Sequence, residues 1–229
     1  MDEVCPVENG LLVEIGSGRG ALTSGLLDRV SRLIAIETDS RLASLLRQKF
    51  SGRANFTLIE ADVLKTDLAQ WGPAIFAGNL PYYITSPILD RVLSLGRFCR
   101  KAVFLVQKEV ALRLIATPGS RDYGYLTVRT QTLAVPELLF TVPASAFRPS
   151  PKVDSALVSL TPRACPLLLD PAPFLEFAGA CFRQKRKNLR NNLEPRYPAI
   201  GTAPEARLRA EQMPIEDLIA LWKRLEAAL

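Results

Sequence analysis

Short apolar runs alternate with helical stretches along the first half of the chain, and this alternation constrains the fold more than any other feature. The runs have the length and branched side chains of buried parallel strands, and they lie at 11–16, 33–37, 56–62, 74–80 and 101–107. Helical patterns follow at 21–30, 40–50, 86–95 and 108–116, with Asp39 or Ser40 and Thr85 or Ser86 as candidate caps. Repeated βαβ units predict an α/β fold with a doubly wound parallel sheet.

The pattern changes after about residue 120. Two further β-like runs, 137–142 and 153–160, flank a proline-rich loop. Beyond a group of prolines that begins at Pro162, the periodicity becomes helical, and it predicts helices at 174–182, in the basic segment that follows, and at 204–212 and 215–229. We therefore expect an α/β domain over 1–164 and a small all-α domain over 165–229.

The composition excludes several classes of site. The 229 residues include no histidine, which removes Ser-His-Asp and Cys-His nucleophile systems and histidine-bearing zinc sites. The four cysteines are scattered and form no C-x-x-C pair, which favours reduced thiols in the cytoplasm over disulfides or a metal site. No apolar run is long enough to span a membrane, and the acidic first ten residues do not resemble a signal peptide.

The net charge of +6 is concentrated in two short stretches. Residues 97–129 and 183–196 each carry a balance of +5, and the rest of the chain sums to −4. One such run is most often a solvated helix face. Two of them beside an otherwise acidic chain favour binding to a polyanion such as nucleic acid, because each phosphate contact releases counterions.

A glycine-rich loop, 14–20 (EIGSGRG), joins the first strand to the first helix. Glycines here, Gly16 and Gly18 among them, allow a ligand to approach the backbone closely, although an ordinary tight turn has the same pattern. Glu37 ends the second strand, where a carboxylate accepts from ribose hydroxyls, and Asp62 ends the third, where it suits an adenine amino group. Either acid alone suits a helix cap, but together with the loop they favour a cofactor that contains adenosine.

Asn79, Leu80, Pro81 and Tyr82 follow the fourth strand. The Asn79 amide and the Leu80 carbonyl are neutral acceptors that suit the hydrogens of an aromatic amine, Pro81 stiffens the turn, and Tyr82 offers a face for a flat base. Methyl transfer to such an amine from a sulfonium depends on positioning and electrostatics and needs no strong base, which agrees with the lack of histidine. The alternative is a turn in which the tyrosine only packs.

These motifs resemble the family of KsgA-type small-subunit rRNA adenine dimethyltransferases, which are class I S-adenosylmethionine (SAM) enzymes. The resemblance extends in order over most of the chain. The matching pieces are EIGSGRGALT (14–23), AIETD (35–39), EADVL (60–64), NLPYYITSPIL (79–89), VQKEVALRL (106–114), FRPSPKVDSALV (147–158) and FRQKRKNLRNNL (182–193). It implies a Rossmann-like sheet that binds SAM, followed by the small helical domain, which binds RNA.

The resemblance also implies individual roles. The loop of Gly16 holds the methionine end of SAM, Glu37 the ribose, and Asp62 the adenine, and Asn79 meets both cofactor and target amine. Tyr82 and Phe147 sandwich a target adenine that has left its stack. In the family, two adjacent adenines near the 3′ end of small-subunit rRNA each receive two methyls, and we expect a monomer that acts on immature small subunits. The expected phosphate contacts lie in the basic segment: Arg183, Lys185, Arg186, Lys187 and Arg190.

Two departures from the family pattern are visible. A segment with a Q-x-F-L-x-D motif normally precedes the first strand, whereas here only ten residues do and the motif is not among them, which bears on SAM affinity and catalysis. Ser17 replaces the usual proline of the glycine loop. Two alternatives stay open: an Erm-like enzyme that acts on large-subunit rRNA, and a non-catalytic assembly factor that binds small subunits.

Overall fold

The computed structural model describes residues 10–148 and 150–229. The strands in this part of the chain are β1 (Leu11–Ile15), β2 (Arg32–Glu37), β3 (Phe56–Glu60), β4 (Ala74–Asn79), β5 (Cys99–Gln107), β6 (Ala134–Val142) and β7 (Ser155–Pro162). The α-helices are α1 (Ala21–Leu26), α2 (Ser40–Lys49), α3 (Thr85–Leu93), α4 (Lys108–Leu114), α5 (Tyr125–Leu133), α6 (Ala172–Cys181), α7 (Leu189–Leu193) and α8 (Ile215–Glu226).

The described strands form one sheet in the order β3-β2-β1-β4-β5-β7-β6. Strands β1 to β5 pair in parallel, so the predicted Rossmann-like α/β fold is confirmed. Strand β7 is antiparallel to both β5 and β6. The strand order reverses between β1 and β4, which is where open α/β sheets bind ligands at the carboxyl ends of their strands.

One face of the sheet is covered by α1 and α2. Leu12 and Leu33 of the sheet are fully buried against Leu26 and Leu46 of these helices, within one apolar cluster. Each such leucine contributes about 1.5–3 kcal/mol by leaving water. This packing holds the carboxyl ends of β1 and β2, and the loops that follow them, in fixed positions.

The candidate caps have different outcomes. The Asp39 side chain accepts from the backbone N–H groups of Arg41 and Leu42, so it caps α2 as predicted. Neither Thr85 nor Ser86 caps α3, and that prediction is wrong. Thr85 is instead the first residue of the helix, and its hydroxyl donates to the Pro81 carbonyl at 3.1 Å, which ties the start of α3 to the preceding turn.

Contacts divide the chain into two compact units. Of the described residues, one unit comprises those up to 111 together with those in 134–162, and the other comprises 112–133 and 163–229. The boundary predicted between 164 and 165 is a single one, whereas the contacts assign α5 to the second unit. Phe174 and Phe177 of α6 lie at the centre of the second unit's core, and the Tyr123 hydroxyl donates to the Met213 carbonyl within it at 2.9 Å.

The predicted helix through the basic segment is wrong. Helix α6 ends at Cys181, residues 182–188 form a turn, and only the short α7 follows. Asn188 caps α7 by accepting from the Asn191 N–H at 3.0 Å. The Asn192 side chain donates to the Cys181 carbonyl at 2.8 Å. These two bonds stabilise the non-helical interruption between α6 and α7, which the charge pattern does not reveal.

The predicted helix over 204–212 is also wrong, since that region forms two 3-10 turns, Pro204–Arg207 and Ala210–Gln212. Between them Leu208 has an extended backbone, and its carbonyl accepts from the Leu189 N–H at 2.8 Å. A contact with α7 therefore replaces the helical bond that this carbonyl would otherwise accept.

No helix in the described part of the chain has the length and apolar character needed to cross a membrane.

Candidate functional site

The glycine loop has a backbone that residues with side chains rarely adopt. Gly16, Gly18 and Gly20 have φ angles of 73°, 56° and 75°, in the left-handed region that strains any residue with a Cβ. A Cβ on Gly20 would lie 2.7 Å from the Phe50 ring, so packing against α2 accounts for this glycine. Gly16 and Gly18 line a cavity instead, and their lack of side chains keeps the loop open to a ligand.

This cavity has a volume of about 460 Å³, within the range of about 300–1,000 Å³ that small organic ligands occupy. The loop forms one wall, and Asn79 at the end of β4 forms another. Val103, Leu105 and Leu157 add an apolar wall from β5 and β7. Polar and apolar walls thus meet at the carboxyl edge of the sheet.

Glu37 ties the glycine loop to β2. One carboxylate oxygen accepts from the Gly18 N–H at 2.8 Å, and the other accepts from the N–H groups of Thr38 and Asp39 at 2.9 and 3.0 Å. The residue is buried. A carboxylate has about four acceptor positions, so one remains beside the loop for a ribose hydroxyl.

The Asp62 side chain stabilises the turn that directly follows it. This is a local structural role beside the proposed ligand role. Its Oδ1 accepts from the Leu64 N–H at 2.9 Å, and the residue is half-buried. This bond fixes the side chain at the end of β3 and leaves Oδ2 for another donor.

Glu14 is a further candidate functional residue, for which the sequence motifs predict no individual role. It is 1% exposed and lines the cavity, and its Oε2 accepts from the Thr23 hydroxyl at 2.6 Å. Burial raises the pKa of Glu14 above its usual value, and the Thr23 hydroxyl partly offsets this. The sequence signal for this residue is an acidic side chain inside an otherwise apolar strand, two residues before the first glycine of the loop.

The fit of SAM to this cavity rests on charge and shape. The cofactor carries a cationic ammonium and sulfonium, and Glu14 places a carboxylate in the cavity wall. The Ser17 hydroxyl is buried there without a hydrogen bond of normal geometry from any described residue. It lies close enough to Glu14 to stabilise the charged carboxylate and so lower its pKa slightly. The cavity therefore offers acceptors for the cationic groups of SAM. The glycine loop offers open backbone that a cofactor of this size can approach.

The turn after β4 places one of its two predicted acceptors, Asn79, in the wall of the cavity. Asn79 is exposed and lines the cavity, whereas Leu80 is buried, with its N–H donating to the Leu105 carbonyl at 3.1 Å. Within the described residues, no group hydrogen-bonds to the Asn79 side chain or donates to the Leu80 carbonyl. The Pro81 carbonyl accepts from the Ile84 N–H at 3.1 Å, which closes the turn.

Tyr82 and Phe147 are both half-buried in the first unit. The Tyr82 hydroxyl lies 3.0 Å from the Ser155 hydroxyl. Phe147 follows a 3-10 turn, Ala144–Ala146, and has an extended backbone. No ring contact joins the two aromatics among the described residues.

The charged side chains of the basic segment lie on the surface of the second unit. All five predicted phosphate contacts are exposed: Arg183, Lys185, Arg186, Lys187 and Arg190. The first four lie in the turn rather than on a helix, and Arg190 forms an ion pair with Glu194 at 3.1 Å.

The other basic stretch, 97–129, does not form a single patch. Arg97 and Arg100 lie at the start of β5, the end of the sheet opposite the cavity, whereas Lys108 lies just after its end. Charge that is contiguous in sequence is therefore separated by the length of a strand.

The sequence of the chain is similar to sequences of known proteins. A family model described as Ribosomal RNA adenine dimethylase matches residues 1–222. Ribosomal RNA small subunit methyltransferase A of Acidobacterium capsulatum is 45% identical over 229 residues, which cover 94% of this chain and 81% of that protein.

Two solved structures are similar over nearly the whole chain. A dimethyladenosine transferase from Plasmodium falciparum has a TM-score of 0.84 at 25% identity, covering 99% of this chain and 94% of that one. The 23S rRNA methyltransferase ErmE has a TM-score of 0.70 at 34% identity, covering 98% and 93%.

Proposed function

The chain belongs to the ribosomal RNA adenine dimethylase family, and on that premise we propose that it dimethylates two adjacent adenines near the 3′ end of small-subunit rRNA during ribosome biogenesis. SAM is the cofactor. The observation that carries the proposal is the position of Asn79, whose side chain has no hydrogen-bond partner among the described residues and lies in the wall of the cavity beside Gly16 and Gly18.

The chemistry follows from two neutral acceptors. The exocyclic amine of adenine is a weak nucleophile, because its lone pair is delocalised into the ring. The Asn79 side-chain oxygen and the Leu80 carbonyl hold its hydrogens and direct the lone pair into the cavity. When bound, SAM supplies an electrophilic methyl group on a sulfonium. Each transfer forms a nitrogen–carbon bond as the bond between the methyl carbon and the sulfonium sulfur breaks, which leaves a neutral thioether. One proton of the amine is released to water, so positioning and electrostatics suffice.

The cofactor contacts follow the order of the strands. Gly16 and Gly18 receive the methionine end, Glu37 accepts from the ribose through its remaining acceptor position, and Asp62 accepts from the adenine amino group through Oδ2. Asn79 stands between cofactor and target. The open backbone of the loop and the three bonds to Glu37 support this assignment.

The target base enters from the other side of Asn79. Tyr82 and Phe147 stack on its two faces once it has left the RNA stack, which costs a few kcal/mol. Phosphate contacts come from the exposed side chains of the basic turn, Arg183, Lys185, Arg186 and Lys187, and from Arg190. We expect the protein to act as a monomer in the cytoplasm.

Transfer of tritiated methyl from SAM to small subunits that lack the modification tests this function. The full chain should label such subunits, and Asn79→Ala should abolish labelling while retaining subunit binding. Absence of label above background, with an active relative assayed in parallel, would contradict the proposal.

A second candidate is methylation of large-subunit rRNA, which the similarity to ErmE favours. The higher identity to the small-subunit methyltransferase of Acidobacterium capsulatum supports the first candidate. Large subunits in the same assay separate the two, because label in large-subunit rRNA alone would establish the second.

A further inference from the structure

The two aromatic residues of the target pocket are held by adjacent residues at the start of β7. The Tyr82 hydroxyl meets the Ser155 hydroxyl at 3.0 Å. The Asp154 carboxylate accepts from the Ala144 N–H at 3.1 Å. The Ala144 carbonyl in turn accepts from the Phe147 N–H at 3.2 Å. One dipeptide is thus linked to the Tyr82 hydroxyl and to the backbone turn that precedes Phe147.

This dipeptide lies in a well-supported part of the sheet. Ser155 is 1% exposed and is paired with Gln107 of β5 and Val142 of β6. The Asp154 carbonyl accepts from the Lys108 N–H at 2.9 Å, which extends the pairing by one residue. Strands on both sides therefore restrain the point from which the two aromatics are held.

We propose that Asp154 and Ser155 are positioning residues, which set the separation of the Tyr82 and Phe147 rings for a flat base. The inference rests on the proposed function, since it assumes that the two rings receive the target adenine. Neither residue has to touch the base. A displacement of about 1 Å far from the reacting atoms is enough to lower a rate by about a hundredfold, so small errors in this gap should be visible in kinetics.

Ser155→Ala tests the stronger link, with Ser159→Ala as the matched control, because Ser159 is also buried on β7 but is not linked to an aromatic. Ser155→Ala should lower kcat/KM for small subunits about tenfold and leave the Kd for SAM and the melting temperature near those of the control. Kinetics equal to the Ser159→Ala control would overturn the role of Ser155.

A double-mutant cycle separates positioning from a general loss of packing. Tyr82→Phe keeps the ring and removes only the hydroxyl, so the double variant with Ser155→Ala should be no slower than the slower single variant. Additive losses would contradict the proposal. If the unmodified chain labels neither subunit, the proposed function is contradicted. Failure of the positioning proposal and failure of the proposed function are therefore distinguishable.

Substitutions of Asp154 provide a second test of the positioning proposal. Asp154→Ala removes the acceptor for the Ala144 N–H and should lower kcat/KM about threefold, a small loss because this bond is exposed to water. Asp154→Asn keeps an acceptor oxygen and should restore most of the activity. Equal activity of the alanine and asparagine variants would exclude the positioning role of Asp154.

A separate observation concerns the second unit, where the basic turn packs against the loop that precedes α5. The Lys185 ammonium donates to the Arg121 carbonyl at 2.8 Å. Beneath this contact the rings of Tyr123 and Phe182 pack with centroids 6.1 Å apart. The Asn192 side chain also donates to the Gln184 carbonyl at 3.3 Å. The first two contacts hold the turn and the loop together, and the third ties the turn to α7.

The joined surface is rich in unopposed positive charge. Elsewhere in the unit Arg196 and Arg224 form ion pairs with Glu176 and Glu205. Within residues 10–148 and 150–229, no acidic side chain pairs with the exposed cations of the joined surface, which are Arg121, Arg183, Lys185, Arg186 and Lys187. The neighbouring Asp122 offsets one of these five charges.

We infer that Arg121 acts with the basic turn as one surface for RNA phosphates. Filter binding of small-subunit rRNA across a range of salt concentrations tests this, with Arg32→Ala as control for an exposed arginine at the start of β2. Arg121→Ala should weaken binding about three- to tenfold and lower the salt slope by about 0.7–0.9. A slope and affinity equal to those of Arg32→Ala would overturn the inference, whereas failure of the unmodified chain to bind would sink the proposed function.

Discussion

The proposed cofactor side and the proposed target side of the site are built by contacts of different range. On the cofactor side, Gly18 and Glu37 are joined at 2.8 Å across 19 residues, from one strand to the next. On the target side, Tyr82 and Ser155 are joined at 3.0 Å across 73 residues, through a strand that runs antiparallel to its neighbours. A βαβ unit produces the first contact almost unaided, whereas the second requires the completed sheet.

This difference predicts that the two sides can be damaged separately. Changes on the cofactor side should alter the Kd for SAM, and changes on the target side should alter transfer to rRNA at saturating SAM. Asn79, which borders both, should show the largest effect of all.

Asn79→Ala should lower kcat about 100- to 1,000-fold, the loss typical when one positioned polar group of a transition state is removed. The variant keeps the basic surface, so its affinity for small subunits should match that of the unmodified chain. Single-turnover transfer and subunit binding measure both quantities. Transfer within tenfold of the unmodified chain would contradict the role of Asn79.

Gly20→Ala should reduce the free energy of unfolding by about 3 kcal/mol, because it adds both left-handed strain and overlap with Phe50. Gly18→Ala has the same backbone strain but meets no atom within 4 Å. It should cost only about 1 kcal/mol and act mainly on the Kd for SAM. Denaturant unfolding of both variants makes the comparison, and equal losses would show that packing does not distinguish the two glycines.

Glu37→Ala leaves three backbone N–H groups without their acceptor. We expect a loss of about 1–3 kcal/mol in the free energy of unfolding and a rise of about 10- to 100-fold in the Kd for SAM, measured by calorimetry. If the two sides are independent, kcat at saturating SAM should return to within a few-fold of the unmodified value. A persistent defect would show that the cofactor side also shapes the target pocket.

Substitution of Glu14 should have the smallest effect on SAM binding and stability, and the size of this effect should depend on pH. Burial raises the pKa of Glu14 above 4.5, so between that value and the raised pKa the folded state keeps a proton that the unfolded state releases. The free energy of unfolding contributed by Glu14 is therefore largest below 4.5 and falls as pH rises through this window. The affinity for cationic SAM should rise over the same window as the carboxylate ionises.

Glu14→Gln should flatten both pH dependences and change the Kd for SAM by less than about tenfold. Thermal unfolding and SAM titration at several pH values test this. A Kd that keeps its pH dependence in the variant would assign the effect to another group.

Much of the first unit follows from local sequence patterns. The five parallel strands lie within about two residues of their predicted positions, because buried runs and glycine boundaries are local signals. The family and its cofactor are confirmed, while the roles of individual site residues stay predictions.

Helix α5 is not predicted by the sequence pattern, since its threonines and valine favour strands. Tertiary bonds such as that from the Thr127 hydroxyl to the Arg113 carbonyl at 2.6 Å stabilise it.

The basic segment shows where local patterns fail. Its charges are visible in the sequence, but the end of α6 and the cap of α7 depend on hydrogen bonds of Asn188 and Asn192 that form only in the folded chain. The placement of Arg121 beside Lys185 has no sequence signal, because 64 residues separate them.

The sequence by itself determined the chemical inventory: glycines that adopt left-handed backbone, carboxylates at strand ends, neutral acceptors after β4, and no histidine. Those properties belong to single residues and their neighbours along the chain. Only the tertiary structure decided that Ser155 meets Tyr82 and that Asp154 secures the turn before Phe147. The first contact arises when β7 pairs with β5, and the second when β6 and β7 pair and bring together the ends of the loop between them. Side-chain hydrogen bonds of this kind leave no periodic trace in a sequence.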